Sequence, residues 1–387
     1  MVPLKYNVRS LGARWVGSLM TVLGTALVVW ASTLAFGLVD GLNHTLAISG
    51  DPLDVICMRQ GATSETNSVV DEAVARQVAT LDRIATDSSG NPLWSPELVV
   101  IVNSPRRADD TKANVILRGV TPAARQLRPG FQIVEGVDAM PGVRQAIASR
   151  TMAKRFKNAG LGEDIDVLGN KFRVVGIFDA GQSATDSEVW TDLEVLAQAS
   201  HRTAFLSSIQ FRATDEAARD QLIDRISTDE QFALKAMTEQ EYFAEQAAAG
   251  DAIKIIGYFI AIVLLVGAMF AVANTMFGAV ASRAREIGTL RAIGFSRRTI
   301  LVSFLLESLL LCLAGGLLGI LGTLPLNGLS TGTANWSTFS ELTFSFRFGA
   351  AVLIQALGLV VIMGLLGGLF PAIRATRLKI VDALREI

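Results

Sequence analysis

The chain has little of what chemistry at a site would use. Its 387 residues include two cysteines and two histidines. Zinc centres gather three or four clustered ligands, so the scattered Cys57, Cys312, His44 and His201 predict no metal site, and both histidines read as ordinary solvated side chains. Cys57 falls in a polar region and Cys312 in an apolar run. No disulfide between them is expected, so the polar region must stand on its own hydrophobic core. A phosphate-cradling loop needs Gly-x-x-x-x-Gly-Lys followed by Ser or Thr. The nearest string, from Gly162 to Gly169-Asn170-Lys171-Phe172, has the wrong spacing and no hydroxyl. No nucleophile elbow, zinc motif or local triad appears either. No catalytic, cofactor-binding or metal-binding residue is therefore assigned, and no nucleic-acid partner is expected. Charge is scarce as well: 18% of residues are charged against 50% hydrophobic, and the mean hydropathy of +0.41 is high for a soluble chain.

Four long apolar runs account for that hydropathy, at residues 18–39, 253–281, 300–324 and 349–371. A helix needs about 20 mostly apolar residues to cross a bilayer, and buried core helices are usually shorter, so each run reads as a membrane span. Basic residues near span ends mark the cytoplasmic side. Lys5, Arg9 and Arg14 precede the first span, Arg283, Arg285, Arg291, Arg297 and Arg298 crowd the link between the second and third, and Arg374, Arg377, Lys379 and Arg385 follow the fourth. The link between the third and fourth holds Arg347 and Glu341. Both termini are thus expected in the cytoplasm and the large polar stretch outside it. The first run exceeds the roughly 7–15 residues of a signal-peptide core, so an uncleaved anchor is expected.

The expected fold is a membrane α-helical protein of four transmembrane helices, with a mixed α+β extracytoplasmic domain inserted between helices 1 and 2. Its segments are an interfacial amphipathic helix (1–17), a span (18–39), the domain (40–250), a span (251–281), a cytoplasmic link (282–299), a span (300–324), a short extracytoplasmic loop (325–348), a span (349–371) and a cytoplasmic tail (372–387). The amphipathic assignment rests on Leu4, Val8, Leu11 and Trp15 opposite Lys5, Arg9 and Arg14, a pattern suited to the headgroup layer. Within the domain, runs rich in Val, Ile and Phe predict strands at 53–58, 98–103, 114–120, 171–178 and 207–212. Helices are predicted at 69–85, 143–158, 215–227 and 238–250. The last has Thr238 as N-cap and is expected to run into the second span, with Gly250 as the point where a hinge would form instead.

The link between the second and third spans is the most informative short segment. Ile287, Leu290 and Ile293 fall at threes, and are expected to give a short helix one apolar face with nothing of this chain to bury against. Such a helix wants a groove on a partner; a solvated basic turn that only sets topology accounts for the same residues. Gly294 supplies a left-handed position to end the helix and Ser296 a cap for the next.

The string Arg285-Glu286-Ile287-Gly288-Thr289-Leu290-Arg291-Ala292-Ile293-Gly294 resembles the signature loop of MacB/FtsX-type permeases of ATP-binding-cassette systems. Residues 370–385, beginning Phe370-Pro371-Ala372-Ile373-Arg374, resemble the C-terminus of the same family, and the layout of one span, a large domain and three spans agrees over the whole chain. The resemblance implies a permease subunit that forms a homodimer and rests on cytoplasmic ATPases, with Glu286, Ile287, Gly288, Leu290, Arg291, Ile293 and Gly294 in the ATPase-coupling helix. ATP and magnesium would be bound by that separate ATPase, leaving no cofactor and no enzyme activity in this chain. In size the domain resembles the periplasmic core domain of the macrolide-exporter and lipoprotein-releasing branches, which implies mechanotransmission for efflux or lipid and lipoprotein release and admits a periplasmic adaptor. The alternative is the cell-division branch, in which a transmembrane signal activates an extracellular cell-wall hydrolase.

Two features of the spans remain. Gly315 and Gly319, and Gly364 and Gly368, lie four apart, the spacing that lets helix backbones approach in lipid, whether within one bundle or between two copies. Glu307 lies inside the third span, where a charge is costly and is either paired for structure or part of a proton path. Arg297, Arg298 and the basic link are its candidate partners.

Overall fold

A computed structural model of the chain describes residues 15–128, 130–249, 251–335 and 338–378. The expected N-terminal interfacial helix and C-terminal tail fall mostly outside them, as does the question of continuity at Gly250.

The described residues open with α1 (Trp15–Ala47) and enter a domain of alternating strands and helices. These are β1 (Asp54–Arg59), β2 (Val70–Asp71), α2 (Glu72–Ala79), β3 (Trp94–Pro105), β4 (Lys112–Val120), α3 (Ala124–Leu127), β5 (Gln132–Gly136) and β6 (Gln145–Ser149). They continue as α4 (Arg150–Arg155), β7 (Asp164–Val167), β8 (Asn170–Asp179), β9 (Glu188–Asp192), α5 (Leu193–Ala199), β10 (Phe205–Leu206), β11 (Ser208–Arg212), α6 (Glu216–Thr228), β12 (Leu234–Thr238) and α7 (Glu239–Ala249). Next come α8 (Asp251–Ser282), α9 (Ala284–Ala292), α10 (Arg297–Thr323), β13 (Ser330–Asn335), β14 (Ser340–Ser345) and α11 (Ala350–Arg377).

The chain divides into two compact units and passes between them after Gly41, Asp251, Leu329 and Ser345. The first is a helical bundle. Four of its helices (in α1, α8, α10 and α11) are long and apolar enough to cross a membrane. Its core runs through Val29, Val272, Met276, Ile287, Phe304, Leu311, Val360 and Met363. The glycine pairs pack inside this bundle. A Cβ at Gly315 would stand 2.5 Å from the Val22 carbonyl oxygen and one at Gly319 would stand 2.6 Å from that of Ala26, so both let α10 lie directly on α1. Gly364 lets α11 approach Leu309 on α10, and Gly368 faces Ser308. The Ser308 hydroxyl donates to the Gly364 carbonyl at 2.6 Å.

The second unit is the inserted domain. Its main sheet has the order β12-β1-β11-β3-β4-β9-β6-β8-β5, with β7 on β8. Pairing is antiparallel except for β4 with β9 and β6 with β8. One core packs α6 and α2 against β1, β11 and β12 through Val55, Phe211, Ala218, Leu222 and Ile226. A second packs α4 and α5 under the other half through Leu117, Met152, Phe156, Phe172 and Leu196. Asp215 caps α6, its carboxylate accepting from the Ala218 amide at 2.8 Å. Thr238 caps α7 in a reciprocal box, each of Thr238 and Glu241 accepting from the other's amide at 3.0 Å.

Three expectations need correction. The helix at 143–158 is instead β6 followed by α4, split where Ser149 caps α4. Ala146, Ile147 and Ala148 are fully buried between β8 and β9, and a strand buried on both faces has a continuous apolar run that periodicity cannot tell from a helix. The helix at 69–85 shrinks to α2, because Asp71 caps it at one end and it stops at Thr80. The loop at 325–348 holds the β13–β14 hairpin, which belongs to the second unit.

Candidate functional site

The link between α8 and α10 carries the residues on which the sequence places a docking function. The Phe295 amide donates to the Leu290 carbonyl at 3.1 Å across Gly294, whose φ of 106° is the left-handed value that ends α9. The Ser296 hydroxyl then accepts from the Thr299 amide at 3.3 Å to start α10.

The expected apolar face of α9 is not the one that forms. Ile287 is buried in the bundle core, Leu290 is half-buried and Ile293 is 72% exposed. At 3.6 residues per turn a step of three falls about 60° short of a full turn, so Ile287, Leu290 and Ile293 wind off any single face. The stripe that packs is Ala284, Ile287, Gly288 and Arg291, which follows the i, i+3, i+4, i+7 rule. The Arg291 guanidinium donates to the carbonyls of Thr376 at 3.3 Å and Leu378 at 2.7 Å, fastening α9 to the end of α11. Arg285, Glu286, Thr289, Ala292, Ile293 and Gly294 are left exposed.

Glu307 is drawn into this link. Arg283 Nη1 lies 2.9 Å from Glu307 Oε2, its Nε lies 3.2 Å from Glu286 Oε2, and its guanidinium sits 5.4 Å from the centre of the Phe304 ring. Arg283 and Glu307 are both buried, whereas the Glu286 side chain is 57% exposed. A lone carboxylate among apolar helices is strongly disfavoured, so the pairing assigns Glu307 a structural partner. The sequence offered the basic link, Arg297 and Arg298 as candidates; the turn that starts α9 is what brings Arg283 to it.

The inserted domain holds a second ionic centre that sequence reasoning missed. Arg118, buried on β4, grips Glu188 with two bonds of 2.8 and 2.6 Å, Glu65 with two of 2.7 and 2.9 Å, and Glu97 with one of 2.7 Å. Arg128 takes both oxygens of Glu97 at 2.7 and 2.9 Å and lies over the Trp190 ring. Burial raises the cost of the Glu65 carboxylate, but the charge and hydrogen bonds of Arg118 outweigh it and hold that carboxyl below its ordinary value. Glu239, the first residue of α7, fares differently. It is buried, accepts from the Asp51 amide at 3.3 Å, and burial pushes its carboxyl up to about 8, with Arg128 only partly offsetting this. Nearby Asp54, paired with Arg212 at 2.7 Å, is likewise pushed up by burial, to about 6. The signal was present in the sequence as charged residues inside apolar strands, Glu97 on β3 and Arg118 on β4.

The β13–β14 hairpin is bound into the same domain. Glu341 is buried between Arg106, at 2.5 Å, and Arg155. The Thr343 amide donates to the Ser187 hydroxyl at 2.8 Å, and Asn114 Nδ2 donates to the Phe339 carbonyl at 2.7 Å. No group of acidic, histidine or cysteine side chains able to hold a metal occurs among the described residues.

Both parts match known families. Residues 18–229 match the MacB-like periplasmic core domain and residues 258–380 match the FtsX-like permease C-terminal domain. The chain is 24% identical over 401 residues to the macrolide export ATP-binding/permease protein MacB of Bdellovibrio bacteriovorus, an alignment covering 94% of this chain and 58% of that one. It is 30% identical over 266 residues to the uncharacterized ABC transporter permease YknZ of Bacillus subtilis, covering 64% and 63%. The chain thus spans less than two thirds of the length of these relatives. Among solved structures, the periplasmic region of MacB from Actinobacillus actinomycetemcomitans aligns at 11% identity with a TM-score of 0.37, covering 52% of this chain and 94% of that one. The extracellular domain of YknZ aligns at 15% with a TM-score of 0.35, covering 48% and 100%. A bundle matched by one family model and an inserted domain matched by the other mean that the chain belongs to the MacB/FtsX-like family of ABC transporter permeases, with a MacB-like periplasmic core domain between its first and second membrane helices.

Proposed function

We propose that this permease couples ATP hydrolysis by a separate cytoplasmic ATPase to a conformational change of its extracytoplasmic domain, in the service of efflux or of lipid or lipoprotein release. In this reading both termini and the α8–α10 link face the cytoplasm, as the excess of Arg and Lys there favours. ATP and magnesium belong to the ATPase. A second permease subunit and membrane lipid cover the exposed Ile255, Phe259, Ile262 and Phe270 of α8, and a periplasmic adaptor is a further partner of the domain.

The observation that carries the proposal is the position of Glu286. It stands on the exposed face of α9 yet shares Arg283 with Glu307 of α10. A partner that engages Glu286 therefore competes for the guanidinium that neutralises a buried membrane-helix carboxylate, and so shifts the balance of charge inside the bundle. Ile293, about two turns further along α9, offers an exposed apolar anchor of the kind interface grooves take up.

The test is reconstitution of the full chain with its ATPase in proteoliposomes. Glu286→Lys is expected to leave insertion intact while abolishing the link between ATP turnover and movement of the extracytoplasmic domain, read by a fluorescence pair on that domain. Unchanged coupling in this variant would overturn the assignment. External protease is expected to cut the exposed turn around Ser88–Ser89 and to spare the α9 link; cutting of the link from outside would overturn the orientation.

A further inference from the structure

The middle of β3 is an open sheet edge at the bottom of a groove. From Leu98 to Pro105 this strand pairs with β4 on one side, whereas β11 covers its other side only from Trp94 to Glu97. Backbone groups of a strand point alternately to its two sides. Val99 shows which set faces away from β4: its amide donates to the Ser207 hydroxyl at 2.9 Å and its carbonyl accepts from Arg202 at 3.4 Å. Pro105 agrees, its carbonyl accepting from the Lys157 amide at 2.8 Å on the same side. Ile101 and Asn103 lie between these two and share their direction. Their amides and carbonyls have no protein partner among the described residues.

This stretch reads Val-Val-Ile-Val-Asn and lacks the lysine, proline or bulge that usually blunts a free edge. It lines a groove of about 560 Å³ whose other walls come from Thr66, the end of β7 at Asp166 and Val167, Leu168, Ser200 and Arg202. Arg202 is exposed and has no carboxylate partner among the described residues. We infer that the β3 edge at Ile101–Asn103 is a strand-addition site for an extended segment of a partner protein that carries an acidic side chain opposite Arg202.

The occupant follows from the chemistry. Alternating donors and acceptors on an edge match those of another extended backbone, and recognition by strand addition draws its affinity from such bonds. The Arg202 guanidinium, which has no carboxylate partner among the described residues, selects negative charge at the Val99 end.

The experiment uses the full chain in lipid nanodiscs. Site-resolved amide exchange on the free protein is expected to show Ile101 and Asn103 exchanging fast beside protected Val100 and Val102. A display library of short peptides panned against it is expected to enrich segments combining β-branched residues with Asp or Glu, and the enriched synthetic peptide to protect both amides. Ile101→Pro removes an outward amide that the fold does not use, a position where an edge strand tolerates proline. It should weaken that peptide roughly tenfold while leaving the thermal melt unchanged. Arg202→Glu should shift selection toward Lys and Arg. Slow exchange at Ile101 and Asn103 in the free protein, protection that rises with protein concentration alone (a second copy on the edge), absence of enrichment, or equal binding to Ile101→Pro would each overturn the inference.

Discussion

Two links join consecutive membrane helices of the bundle, and they belong to different parts of the molecule. The α8–α10 link folds back on the bundle: Arg283 reaches Glu307 and Arg291 holds the end of α11. The α10–α11 link leaves it, forming a hairpin whose Glu341 is buried between Arg106 and Arg155 of the inserted domain. Each link is fixed by arginine and glutamate, so charge type does not distinguish them; the location of the partner does. The domain is consequently tied to the bundle by chain segments at Leu329 and Ser345 as well as by those leaving α1 and entering α8.

The largest effect expected from breaking this comparison is on the bundle side. Arg283→Ala leaves Glu307 buried without its guanidinium and should cost about 3–5 kcal/mol, measured as a fall in the thermal midpoint of the purified chain. Glu341→Ala should cost less, roughly 1–3 kcal/mol, because the arginines it abandons are partly exposed and can be solvated. Its distinctive result is release of the hairpin, read as new protease cutting between β13 and β14, with α9 still protected. Equal losses in both variants would mean that the links do not differ as the buried partners indicate.

Acidity sharpens the comparison further. Glu239 binds its proton more tightly in the folded domain than in the unfolded chain, so folding favours the protonated form. Its contribution is full at low pH and is lost as pH rises from the ordinary carboxylate range through about 8. Asp54 acts in the same direction up to about 6, whereas Glu65, held below its ordinary value, costs stability only in acid. A spin label on β13 should therefore loosen with the domain as the solution becomes alkaline, and Glu239→Gln should flatten that dependence and be the more stable protein above about pH 8. The smallest effect on stability is expected at the exposed face of α9. Ile293→Asp should change the thermal midpoint by no more than a surface substitution does, about 0.5 kcal/mol, while reducing co-purification of the ATPase.

Much of the frame was legible along the chain. The strands expected at 53–58, 98–103, 114–120, 171–178 and 207–212 overlap β1, β3, β4, β8 and β11, all marked by β-branched and aromatic runs. Two of the strands that went unread carry buried polar residues. β9 begins with Glu188, buried because Arg118 binds it, and β14 carries Glu341 and Thr343, buried because Arg106, Arg155 and Ser187 receive them. Such residues look like loop until their partners are in place. Helix α9 was legible as a segment and misread as a face, since spacing by threes names residues without saying which stripe the bundle will cover.

What the sequence by itself determined is the number of membrane helices, the insertion point of the domain and the residues at which α9 ends. Each is a local property: about 20 consecutive apolar residues span a bilayer wherever they occur, and a glycine accepts a positive φ from its own lack of a side chain. The tertiary structure alone decided that Arg283 neutralises Glu307, that Ile287 faces inward while Ile293 does not, that the second link joins the domain, and that β3 keeps an open edge. These depend on which distant segments meet, and a buried charge or an unpaired amide is defined only by what lies beside it.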